Sequence, residues 1–137
     1  MASSEFISAT RIVVLGLTGA VCLLYAVLAL AQGRPDPLPF WLPGVCGLAS
    51  ALVITAAARS AGRCQARQAM DEGYVVDNRR AQQLGFWVGL MLYPLFAVAL
   101  AQGWVGYPVA YAAMGTLTAA AYLLGFVALD LRGRAWS

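Results

Sequence analysis

Residues 81–129 carry no charged side chain, and two shorter uncharged stretches, 12–33 and 37–58, come before them. A hydrocarbon layer about 30 Å thick is crossed by roughly 20 residues of α-helix. Each shorter stretch is therefore one crossing, and the long one holds two crossings and a tight turn. Inside lipid every backbone N–H and C=O must find its partner within the protein, so crossings of this length and composition are helices. The sequence predicts an all-α, integral membrane four-helix bundle with spans over 12–31, 40–58, 83–101 and 108–129. The connection over 59–82 is the longest one. With 137 residues in a single membrane domain, no room is left for a separate soluble one.

The basic residues are all arginine, and they are unevenly placed. Arg59, Arg63, Arg67, Arg79 and Arg80 fall in the 59–82 connection, Arg11 precedes the first span, and Arg132 and Arg134 follow the fourth. The turns on the other side hold only Arg34. Arginine is in excess on the cytoplasmic side of membrane proteins, which places both termini and the 59–82 connection in the cytoplasm, with the inner membrane of a bacterium as the expected location. Span 1 lacks the small-residue cleavage site and polar exit of a secretory signal and reads as a retained helix. The net charge of +3 flanks the spans, which points to topology and lipid phosphate and away from nucleic acid.

Between the first two spans, Gly33-Arg34-Pro35-Asp36-Pro37-Leu38-Pro39 cannot be helical, because its prolines lack donors and fix the backbone. Gln102-Gly103-Trp104-Val105-Gly106-Tyr107-Pro108 makes the second outer turn. A break is expected at Met70-Asp71-Glu72-Gly73, with Asp77 or Asn78 capping the third helix. Inside that helix Pro94 removes a backbone donor and predicts a kink. The motif Ala29-Leu30-Ala31-Gln32-Gly33 recurs unchanged as Ala99-Leu100-Ala101-Gln102-Gly103, at the outer ends of the first and third spans. This suggests two tandem helical hairpins in parallel orientation, related by an axis along the membrane normal.

Candidate chemistry is sparse. The chain has no histidine, which removes histidine-ligated haem, most zinc and copper sites and the usual general base. Cys22 and Cys46 lie in the first two spans, Cys64 lies beside the basic face, and no outer turn holds a cysteine. Cys22 and Cys46 read as small packing residues. No span has an ionisable residue in its interior, where transport pathways normally place one; Thr18, Thr55, Tyr93, Thr116, Thr118 and Tyr122 read as packing groups. The sequence therefore points to no enzyme, no cofactor and no metal site. Asp130, at the inner end of the last span, is expected to pair with the arginines around it.

Interaction surfaces are better represented. Gly85 and Gly89 form a small-residue helix-packing face, a candidate for a dimer contact or for docking on a larger membrane protein. Arg59, Arg63 and Arg67 recur every four residues and share a helix face; with Arg79 and Arg80 they are candidates for contact with anionic lipid head groups or a partner. Asp71, Glu72 and Asp77 are expected to pair intramolecularly with those arginines. The acidic pair Asp71-Glu72, followed by Arg80-Ala81 and then Phe86-Trp87, resembles the pattern before the third helix in a family of small, uncharacterised four-span prokaryotic membrane proteins. Gly73 stands where that family has a basic residue, and Asp77 where it has an apolar one. The resemblance implies four-span architecture and no activity. The functional expectation is a membrane protein acting by association, with itself or as an accessory subunit. The alternative is a small transporter or channel with a pathway at a dimer or hairpin interface.

Overall fold

The computed structural model describes residues 4–60 and 72–135. Four helices account for most of them: α1 (Ser4–Gln32), α2 (Leu42–Ser60), α3 (Glu72–Ala101) and α4 (Tyr107–Ala135). All four are long and apolar enough to cross a membrane. The molecule is an all-α bundle of four membrane-sized helices.

The boundaries depart from the sequence expectation at the arginine-rich end. There α1 starts at Ser4, α3 starts at Glu72 and α4 runs to Ala135. Hydropathy marks only the part of a helix that sits in hydrocarbon, whereas a helix held by its neighbours continues into the head-group region. Glu5 in the first turn of α1 favours that extension, since a negative charge suits the positive end of the helix dipole. Asp77 and Asn78, expected as caps, lie inside α3. At about 1.5 Å per residue, α1, α3 and α4 are roughly 43–45 Å long against a hydrocarbon layer of about 30 Å. Three helices thus overshoot the layer, while α2, roughly 28 Å long over its described residues, just spans it.

α1 packs on both α2 and α4, and α4 packs on α3. Among the described residues α2 and α3 are not packed on one another, so the ring of four is open on that side. A two-fold exchange of the hairpins would convert the extensive α1·α4 contact into an equally extensive α3·α2 contact, which is not present among the described residues. The motif that suggested the repeat nevertheless ends α1 and α3 alike: Gly33 and Gly103 both take left-handed backbone, with φ of 64° and 73°. At α3 the Gly103 N–H donates to the Leu100 carbonyl (3.0 Å) and the Trp104 N–H to the Ala99 carbonyl (2.9 Å). This pair of bonds closes a helix end and requires a residue without a Cβ penalty at the glycine position.

Glycine also sets the helix spacing. A Cβ built on Gly19 of α1 would stand 2.9 Å from the Leu124 side chain of α4. On the other side of α4, a Cβ on Gly85 would lie 3.0 Å from Tyr122 Cβ, one on Gly89 3.3 Å from the Thr118 side chain, and one on Gly125 2.6 Å from Leu84. The Gly85 and Gly89 face is therefore taken up inside the bundle by α4. Its expected role as a spare docking face is corrected by this contact; its role in helix packing stands. Helix α3 continues through Pro94, which is exposed.

Candidate functional site

Where the three long helices overshoot, Arg11 of α1 is enclosed by all of them. Its guanidinium donates to Asp130 Oδ2 of α4 at 3.2 Å and to Ser8 Oγ at 3.4 Å. The two charged side chains are only 7% and 15% exposed. The guanidinium also lies over the ring of Tyr74 from α3, 4.4 Å from its centre, and 5.3 Å from that of Phe126. Those two rings meet edge to face, with centres 5.7 Å apart. A cation between aromatic faces is attracted by the ring quadrupoles, more strongly when water is excluded. Ser8 and Arg11 are three apart on α1, and Phe126 and Asp130 four apart on α4, so each pair occupies one helix face. Nearby, the Tyr122 hydroxyl donates to Asn78 Oδ1 at 2.8 Å, a second link from α4 to the start of α3.

The other predicted charges are dispersed. Arg59, Arg79, Arg80 and Arg132 are exposed, and neither Arg79 nor Arg80 comes within salt-bridge distance of Asp77. The expected pairing of Asp77 with these two arginines is thus not formed; its carboxylate lies instead beside Gly133 of α4. Arg79, two positions on, points around the helix from Asp77; Arg80, three positions on, shares its side of α3 but is exposed and directed away from it. Arg63, Arg67 and Asp71 fall outside the described residues, as does the Glu72 side chain. Among the described residues no group of three or more His, Cys, Asp or Glu side chains is placed to hold a metal ion.

Within the membrane, the polar side chains are satisfied by their own helices. Thr18 donates to the Val14 carbonyl, Ser50 to that of Cys46, Thr55 to that of Ala51, Thr116 to that of Ala112 and Thr118 to that of Met114. Among the described residues one polar contact crosses between helices at this depth, Thr18 Oγ1 to Ser50 Oγ at 2.5 Å between two buried residues; whichever hydroxyl donates across it gives up the bond to its own helix, since each carries one proton. At the end of the bundle opposite Arg11, the Tyr25 hydroxyl donates to the Pro35 carbonyl at 2.8 Å, drawing the first turn back over α1. Exposed aromatics ring that end, with Phe40, Trp41, Trp104, Tyr107 and Tyr111, while Phe86 and Trp87 are exposed nearer the other. Such rings suit the boundary between hydrocarbon and head groups.

Asp130 is expected from the sequence to pair with the arginines around it, but nothing there singles out Arg11, 119 positions away. One grouping went unread. Thr18 and Cys22 on α1, and Cys46 and Ser50 on α2, are each spaced by four, which in an antiparallel hairpin sets the two pairs opposite one another; that mirrored spacing was the available signal. No protein-family model, no curated protein and no solved structure matches the chain.

Proposed function

We propose that this chain is a small integral membrane protein that works by association, binding anionic lipid at its arginine-rich end and a protein partner, or its own copy, along its flanking helices. The observation that carries this reading is the unequal use of the helices. Ser50 is the one residue of α2 that is buried, and Cβ atoms on Gly44 and Gly47 would meet nothing within 4 Å. Lipid tails are as apolar as leucine, so the packing of small-residue faces and polar contacts, rather than burial from water, drives helix association in a bilayer. α2 offers such a face. The self-satisfied threonines and Ser50 favour association over transport, because they leave few polar groups to line a pathway.

In this reading both termini are cytoplasmic, and Arg59, Arg79, Arg80 and Arg132 lie against the inner leaflet of a bacterial inner membrane. Basic residues there contribute about 1 kcal/mol each toward anionic lipid. Native mass spectrometry of protein released from bilayers holding anionic and zwitterionic lipid tests both halves. Retained anionic lipid that falls several-fold when Arg59, Arg79 and Arg80 are changed to Gln, together with a dimer or a co-purifying membrane protein, is the expected result. A lipid-free monomer in both forms would refute it.

A further inference from the structure

The seam between α1 and α2 contains a second pair of reactive groups. Thr18 and Cys22 are both buried on α1; on α2 Ser50 is buried and Cys46 half-buried. The Thr18–Ser50 hydrogen bond fixes the register of the two helices. They run in opposite directions, so moving one turn toward the outer side adds four on α1 and subtracts four on α2. That step of four residues, about 6 Å along the helix, arrives at Cys22 and Cys46. That register sets the two thiols at the same level of the seam, on the faces of α1 and α2 that carry Thr18 and Ser50, and both are free. The short hydroxyl contact one turn away brings α1 and α2 together beside this level, and closing a disulfide requires the two Cα atoms to come within about 4.4–6.8 Å.

We propose that Cys22 and Cys46 form a redox dithiol that closes into a disulfide between α1 and α2, with a membrane-soluble quinone as the electron acceptor. Two S–H bonds break and one S–S bond forms. The two electrons and two protons reduce one quinone to its hydroquinone, so atoms and charge balance with no further reactant. The site lies inside the hydrocarbon layer, which excludes water-borne oxidants, and half-buried Cys46 on the sparsely packed helix offers the approach from lipid. The product is uncharged and suits its surroundings. Closing it ties down the helix that is otherwise held most lightly, so the redox state of the membrane sets how freely α2 can leave α1.

The test uses the full chain carrying Cys64→Ser, reduced and reconstituted into lipid vesicles. It is exposed to a benzoquinone that is fully substituted on the ring and bears a decyl chain, so that the ring cannot add to sulfur. Thiols are then counted by maleimide-polymer labelling after denaturation. The expected result is joint loss of both thiols, an intact mass lower by two hydrogens, a monomer on a non-reducing gel, and recovery of both thiols with a reductant. In the unaltered chain one of the three cysteines should stay labelled. Cys22→Ser and Cys46→Ser, each in the Cys64→Ser chain, should each keep the remaining thiol. Full labelling of both cysteines after quinone treatment, or their loss into covalent dimers, would overturn the proposal.

Discussion

α1 meets its two packed neighbours in different ways. Against α4 it presents Gly19, where a Cβ would stand 2.9 Å from Leu124, and closes the contact with the enclosed Arg11–Asp130 pair. Against α2 it offers the Thr18–Ser50 hydroxyl contact, while α2 leaves Gly44 and Gly47 open. In water both contacts would gain from burying apolar surface, and the difference would be blurred. In lipid that gain vanishes, so the α1·α4 seam, which has close backbone approach and a charge pair, is the structural one. The α1·α2 seam is the adjustable one.

The largest effect should come from Asp130→Leu, which takes the carboxylate from an enclosed guanidinium; breaking such a pair costs about 3–5 kcal/mol. Unfolding in bicelles measures it. Adding Arg11→Met should recover most of the loss, and failure to recover would mean that the charge pair is not what closes this seam. Next comes Gly19→Leu, expected to destabilise by about 1–3 kcal/mol through overpacking against Leu124. Thr18→Val removes the one polar tie on the α2 side and should cost about 0.6 kcal/mol, the usual scale of an interhelical hydrogen bond in lipid. Smallest is Gly47→Leu, expected within about 0.5 kcal/mol because its side chain would enter open space. Were Gly47→Leu as damaging as Gly19→Leu, α2 would be packed as tightly as α4 and the contrast would fail.

The crossings were legible because lipid imposes one rule over the whole length of each segment: uncharged for about 20 residues, with helix the only available backbone. The helix ends beyond the hydrocarbon were not, since Tyr74 and Asn78 owe their helical state to contacts with Phe126 and Tyr122 rather than to any local signal. Gly85 and Gly89, offered by the sequence as a spare small-residue face, lie against Tyr122 and Thr118 of α4. A small-residue spacing says that a backbone can come close without saying whose. Asp77 shows the same limit for charge: nearness in sequence to Arg79 and Arg80 did not become an ion pair.

The distance along the chain between Arg11 and Asp130 has a consequence for how the protein is made. At a synthesis rate of about 5–20 residues per second, the 119 positions between them take roughly 6–24 s to emerge. Once Gln32 has followed, α1 is out of the ribosome for the rest of that interval while the carboxylate that will face its arginine is not. A long arginine side chain near a helix end can reach the interface meanwhile, which holds the first helix at a shallow depth. Packing of α4 then takes Arg11 from the head groups into the shelter of Tyr74 and Phe126.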